Sequence, residues 1–261
     1  AWIGVMNPLI LMHFVAGSHN DALMVGLVCI AMMIALRGHF VAAVIVATLA
    51  LGIKPVAIVL LPFLALIAAG SGASLMRRAK YGAIAGLIAL STLFITSALA
   101  ETGPFGWIGS LSTPGTVKSW LSPTTAIGML TGGTIRLLGF GNALDTSVGI
   151  TRLIGSILLA IVLVLLIIRP AGRSATRGVA LSFVALVVLG PVVQPWYLLW
   201  SIPLLAVTGL SHKQLRIMVI AIAAFTVHGI ANSSATADTF LELSDGIAMV
   251  LAGITLGLAM L

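Results

Sequence analysis

The chain has 261 residues, of which 60% are hydrophobic and only 7% charged, and its mean hydropathy is +1.22. A soluble domain carries about 25% charged residues, so this composition excludes a water-soluble globular protein. The net charge of +7 therefore speaks of membrane topology and not of nucleic acid.

The one cysteine, Cys29, lies inside an apolar run; it forms no intrachain disulfide and fits the role of a small buried hydrophobe. The chain opens at Ala1-Trp2 with no charged leader and both its ends fall in apolar runs. We expect a piece of a longer protein, with at least one further helix upstream.

In chain order, apolar runs fall at 1–14, 22–36, 39–53, 55–69, 80–99, 147–168, 178–193, 196–210, 215–231 and 246–261. Crossing a bilayer takes about 20 residues, fewer where a helix is enclosed by others. Several of these runs are shorter and are separated by Gly and Pro, the pattern of a bundle around a cavity. The expected fold is an all-α, polytopic transmembrane helix bundle of nine to ten helices, forming a single transmembrane domain over 1–261.

Basic residues orient the bundle. If the run 22–36 points inward, Arg37, Arg77, Arg78, Lys80, Arg169, Arg173, Arg177, Lys213 and Arg216 all fall on the cytoplasmic side, nine of thirteen. The six acidic residues, Asp21, Glu101, Asp145, Asp238, Glu242 and Asp245, then all face outward. This parity makes 39–69 a hairpin turning at Lys54-Pro55, with Gly52 ending one helix and Pro55 starting the next. It also makes 123–140, with Ser122 as N-cap and Pro123 at the first helical position, a helix lying at the outer interface or re-entering partway. Residues 100–122 form a long extracytoplasmic loop, which its two tryptophans, Trp107 and Trp120, dock.

Three groups of residues can carry chemistry. The first is Gly17-Ser18-His19-Asn20-Asp21, a polar knot before an apolar run. Helix capping by Ser18 or Asn20, with Asp21 near the positive end of the helix dipole, explains much of it. An ionisable group beside a membrane cavity also marks function, with His19 bonding the carboxylate and Asn20 orienting a hydroxyl. The second is Lys54, in a short turn between two helices. It either snorkels to the interface or offers a point charge to a phosphate. Arg152, Arg136 and Lys118 are further outward cations that suit an anionic donor. The third is Gln194-Pro195-Trp196-Tyr197, with Trp200 one turn on, read as an aromatic belt or as a wall for a sugar or prenyl chain. No metal-ligand spacing, cofactor motif or nucleotide-binding glycine loop stands in the sequence.

Asn7-Pro8-Leu9 followed by Gly17-Ser18-His19-Asn20-Asp21-Ala22-Leu23-Met24 resembles the actinobacterial polyprenol-phosphomannose-dependent α-(1→6)-mannosyltransferases. Thr113-Pro114-Gly115, the stretch Trp120-Leu121-Ser122-Pro123 and Gln194-Pro195-Trp196-Tyr197 are similar to that group as well. The resemblance covers most of the chain. It implies a multi-pass GT-C glycosyltransferase of the cytoplasmic membrane, with its site on the extracytoplasmic face, that builds the mannan core of lipomannan and lipoarabinomannan. It implies polyprenyl-phosphate mannose as donor, a mannan or lipomannan acceptor, α-1,6 transfer with inversion, and membrane lipids as surroundings. On this reading Asp21, His19 and Asn20 are catalytic, and Lys54 and Arg152 hold the donor phosphate. Glu101, Trp107, Trp120, Gln194, Trp196 and Tyr197 wall the sugar or lipid. GT-C enzymes place a catalytic aspartate in their first outer loop, which would precede Ala1, so Asp21 would be a second acidic residue. The competing readings are a secondary transporter with broken helices and a structural membrane subunit.

Overall fold

A computed structural model describes residues 2–101, 117–169 and 172–232, the side chains of 230–232 excepted. Every described element is helical. In chain order these are α1 (Trp2–Val5), a π-helical segment (Ile10–Ala16), α2 (Asp21–Leu36), α3 (Phe40–Ile53), a 3-10 turn (Pro55–Val59), α4 (Leu60–Ala69) and α5 (Leu75–Leu99). There follow α6 (Pro123–Leu137), α7 (Leu144–Ile168), α8 (Ala175–Leu189), a second 3-10 turn (Pro195–Trp200), α9 (Ile202–Ala206) and α10 (His212–Asn232). The expected apolar runs are mainly helical where they are described, but residues 6–7, 190–193 and 207–210 within them lie outside the helices. The run at 246–261 and the loop residues 102–116, including Trp107, lie outside the described residues.

The helix count and the all-α class agree with the sequence. Among the described residues, α5 and α7 are long and apolar enough to cross a membrane, with a third span if 2–16 and 21–36 are taken as one broken helix. At 25 residues each, α5 and α7 are about 37 Å long, from 1.5 Å of rise per residue. Their most apolar stretches are only 17% and 6% buried within the protein, so their hydrocarbon faces outward, as lipid requires. This is a membrane protein.

The chain divides into two compact units, one drawing on Ala1–His19 and Gln194–Leu261 and the other being Asn20–Val193. In the second, α2 packs on α3, α4 on α5, α6 on α7 and α7 on α8. Small residues make the close approaches: Ala31 and Ala35 of α2 and Ala43, Ala47 and Ala50 of α3 are all buried. Phe63, Leu64, Val179 and Phe183 fill the space between α4 and α8. The turn at Lys54 is as expected: Lys54 takes an extended conformation, Pro55 starts the 3-10 turn, and α4 packs back on α3.

Residues 123–137 are helical with Ser122 as N-cap and Pro123 in first position. What holds this helix is less visible from sequence. Gly128 lies against Val148 and Thr151 of α7, and Gly132 against Leu144, so the two backbones come together where α6 has no side chain. Ser122 and Thr124 both donate to the Gly190 carbonyl at 2.9 Å, and Thr125 donates to that of Pro191 at 2.6 Å. These carbonyls end α8, where Pro191 stops the helix and leaves them without partners along it. Ser122→Ala removes both the cap and a tie to Gly190, and it is expected to cost about 1–2 kcal/mol. Thermal unfolding in detergent checks this against Ser74→Ala, whose cap on α5 is exposed and whose loss should be smaller.

Several boundaries differ from the sequence reading. Helices α7 and α10 begin at Leu144 and His212, so Lys213 and Arg216 are helical. The run 196–210 is a 3-10 turn followed by the short α9. Helix α5 begins at Leu75, capped by Ser74, so Arg77, Arg78 and Lys80 lie in its first turns and not in a loop. Likewise Ser174 caps α8, and Arg177 falls in its first turn. The serine caps override the charge pattern, because a bonded cap contributes about as much as an unfavourable helix-dipole contact removes.

Candidate functional site

In the unit Asn20–Val193, α2 begins at Asp21, and the turn between α3 and the 3-10 segment presents Lys54. The Lys54 Nζ lies 2.8 Å from the Asp21 Oδ2, with the Asp21 side chain 1% exposed and that of Lys54 22%. Capping does not account for the knot as expected. Asn20 occupies the cap position with helical angles and makes no side-chain cap bond, and Ser18 is held at φ 48. Once Asn20 itself adopts helical geometry, its side chain no longer reaches the free amides of the first turn. The Asp21 carboxylate is committed to Lys54 across two helices.

Removing a lysine and a carboxylate from water is expensive, and each is tolerated here because it has the other. The Lys54 side chain as a whole keeps about a fifth of its surface open, so the pair is not sealed within the protein. Lysine offers a compact point charge with three donors.

The other outward cations are placed differently. Arg152 of α7 donates from Nε to the Thr125 hydroxyl at 2.9 Å and from its terminal nitrogen to the Val117 carbonyl. It ties α6 and the end of the long loop to α7. Lys118 pairs with Asp145 at an exposed position. Arg136 is exposed in the last turn of α6. Glu101 is exposed at φ 55 just past α5, and Trp120 is 41% exposed.

In the unit drawing on Ala1–His19 and Gln194–Leu261, Trp196, Tyr197 and Trp200 lie side by side, and His19, expected to bond the Asp21 carboxylate, stacks on this group. The His19 ring stacks on Trp196 with centroids 3.9 Å apart and 19° between planes. Trp196 meets Tyr197 edge-on at 6.0 Å, and Tyr197 stacks on Trp200 at 4.0 Å. Gln194 is half-buried as the residue before the 3-10 turn. Beneath lies an apolar cluster of Leu9, Leu199, Ile202, Met218 and Ile222.

The sequence reading missed His13. Its ring centroid sits 5.6 Å from that of His19 and 5.3 Å from that of Trp196, and it is 7% exposed. Its Nε2 and the indole Nε1 of Trp196 are buried with no hydrogen-bond partner among the described residues. A side chain at position 229 would begin 3.1 Å from that Nε2, so Gly229 leaves the ring its room. His13 stands in the π-helical segment, a geometry frequent at functional sites. The signal in the sequence was a single ionisable residue inside the apolar run Leu9–Val15.

Outward-facing apolar spans, helices interrupted by 3-10 and π turns, and a buried ion pair at such an interruption define a multi-helix membrane protein with polar chemistry at its helix breaks. Family comparison is more particular. The model of the alpha-(1->6)-mannopyranosyltransferase N-terminal domain matches residues 1–70, and that of the MptB C-terminal domain matches residues 124–261. The chain belongs to the alpha-(1->6)-mannopyranosyltransferase family. Alpha-(1->6)-mannopyranosyltransferase A of Mycobacterium tuberculosis is 35% identical, over 84% of this chain and 43% of its own length. A probable alpha-(1->6)-mannopyranosyltransferase of Mycolicibacterium smegmatis is 32% identical, over 77% of this chain and 41% of its own. Alpha-(1->6)-mannopyranosyltransferase B of Corynebacterium glutamicum is 29% identical, over 78% and 37% respectively. The chain thus spans about four-tenths of the length of these relatives. No solved structure matches it. The matched regions hold the Lys54–Asp21 pair and the aromatic group, while Glu101, Trp107, Lys118 and Trp120 fall between them.

Proposed function

We propose that this chain is part of a membrane glycosyltransferase that moves mannose from polyprenyl-phosphate mannose to a mannan or lipomannan acceptor. The linkage made is α-1,6, with inversion, on the extracytoplasmic face of the cytoplasmic membrane. The observation that carries this reading is the Lys54–Asp21 pair, a partly exposed lysine on a buried carboxylate at a helix break, in a chain of this family. Family membership favours transfer over the transporter reading, which rested on Gly/Pro-broken helices and sparse polar residues.

Inversion requires the acceptor 6-hydroxyl oxygen to attack C1 from the face opposite the phosphate. The new C1–O bond forms as the C1–O(phosphate) bond breaks, the hydroxyl proton passes to a carboxylate, and polyprenyl phosphate leaves with an added negative charge. On this reading Lys54 meets that charge, which grows toward the transition state, so its attraction lowers the barrier more than it tightens ground-state binding. Asp21 fixes the ammonium beforehand. When the phosphate shares Lys54, the carboxylate is released to orient the acceptor, with the exposed amide of Asn20 beside it in the chain. Taken within their own unit, His19, Trp196 and Tyr197, with Gln194 before them, make an aromatic surface of the kind that suits a sugar or prenyl chain, and Glu101, Trp107 and Trp120 are the residues proposed from the segment 100–122. Arg152, through Thr125 and Val117, fixes the base of that loop and adds positive charge for the donor.

The test uses the full-length protein in membranes, with labelled polyprenyl-phosphate mannose and a mannoside acceptor. Labelled product with a new α-1,6 linkage is expected, with no transfer from nucleotide-linked mannose. Transfer from the nucleotide donor alone would overturn the reading. A reporter at Ser74 should read cytoplasmic and one at Gly115 extracytoplasmic; the reverse would move the site to the other face.

A further inference from the structure

At the end of the bundle where α4 gives way to α5 and α7 to α8, a half-open cavity of about 440 Å³ lies between the α4–α5 turn, Leu166 of α7 and the segment 172–178. Arg78 and Arg173 line its polar side, and Phe63, Leu66, Ile67 and Leu166 its apolar side. The Nε of each arginine is shielded from solvent and has no hydrogen-bond partner among the described residues. Their neighbours are otherwise engaged, Arg77 lying over the Tyr81 ring at 5.9 Å.

Among the described residues that line this cavity, every charge is positive. Helices α5 and α8 both begin here, and neither has an acidic residue in its first turn. Arginine at the positive end of a helix dipole is unfavourable, and two such helix starts converge on two under-bonded guanidinium groups. An anion placed among them would relieve the repulsion and complete their hydrogen bonds, and planar guanidinium suits a phosphate.

A soluble anion would leave the apolar half of the cavity unused. The cavity lies at the ends of α5 and α7, whose length of about 37 Å at 1.5 Å per residue puts those ends at headgroup depth. Leu75 and Met76, beside the arginines on α5, are 81% and 80% exposed, which suits a position in lipid and not in water. Basic pockets between membrane helices are known receptors for acidic lipid headgroups.

We propose that this cavity is a binding site for one anionic phospholipid, its phosphate between Arg78 and Arg173 and an acyl chain along Phe63, Leu66, Ile67 and Leu166. The site is separate from the Lys54–Asp21 pair in residues and in chemistry, and its occupancy does not depend on mannose transfer.

The experiment is native mass spectrometry of the full-length protein released from nanodiscs of phosphatidylglycerol and phosphatidylcholine. The wild type should retain one phosphatidylglycerol, and Arg78→Gln/Arg173→Gln should lower that occupancy by at least tenfold. Arg78→Lys/Arg173→Lys should keep most of it, and Arg37→Gln all of it. Leu66→Trp, which fills the apolar side and leaves both arginines, should also lower it, and this variant decides the matter if the double glutamine variant does not fold. Added glycerol 3-phosphate, which has the headgroup phosphate without the chains, should fail to displace the lipid. Retention unchanged in the double glutamine or the Leu66→Trp variant would overturn the proposal. So would absence of retained phosphatidylglycerol in the wild type, or displacement by glycerol 3-phosphate, which would make this a site for a soluble phosphate.

Discussion

Lys54→Ala in the full-length protein is expected to lower mannose transfer by about 10²- to 10³-fold, the range seen when a preorganised group facing developing charge is removed. The same substitution strands a carboxylate that is 1% exposed, and breaking a buried pair on one side costs about 3–5 kcal/mol. Loss of activity alone therefore does not separate a substrate role from a structural one. The double substitution Asp21→Leu/Lys54→Met does. Replacing both charges by apolar side chains of similar volume removes the stranded ion, and stability should return to near the wild-type value. If Lys54 serves the donor phosphate, transfer stays down in this stable double variant. Recovery of transfer together with the melting temperature would show the pair to be only a tie between α2 and the Lys54 turn.

Gly128→Ala is expected to destabilise the protein far more than one methyl group would suggest. The added carbon would lie 2.5 Å from the Val148 Cα and 2.5 Å from the Thr151 hydroxyl. A rotamer change can move the hydroxyl, but only a shift of α6 away from α7 can relieve the backbone contact. That shift also strains the Thr125 bonds to Arg152 and Pro191. Overpacking of this kind costs about 1–3 kcal/mol and sometimes more. Gly26→Ala on α2 is the control, since a carbon there meets nothing within 4 Å. It should be neutral or stabilise by about 0.5–1 kcal/mol through reduced freedom of the unfolded chain. Thermal unfolding in detergent compares the two, and equal melting temperatures would refute so close an α6–α7 approach.

The contrast between those glycines shows why sequence reading stopped where it did. Gly26 and Gly128 both sit inside helices, and nothing in their local sequence tells a glycine that admits another helix from one that faces open space. The same holds for Asp21. Serine, asparagine and aspartate before an apolar run fit a helix cap, and that reading was reasonable. The cap failed because Asn20 joined the helix and Asp21 found a cation 33 positions away. His13 was overlooked because a lone histidine in an apolar run has no spacing partner; only the fold sets it against His19 and Trp196.

The sequence by itself determined the membrane class, the all-helical fold, the helix positions to within a few residues and the turn at Lys54-Pro55. These follow from composition and from local features such as apolar run length, serine caps and prolines, which act over one or two helical turns. Tertiary structure alone decided that Asp21 belongs to Lys54, that Arg152 anchors α6 through Thr125, and that Arg78 and Arg173 share a half-apolar cavity. Each of these joins residues on separate helices or on the turns between them. A side chain's partner there depends on how the helices pack, and two residues far apart in the chain carry no periodic signal of their meeting.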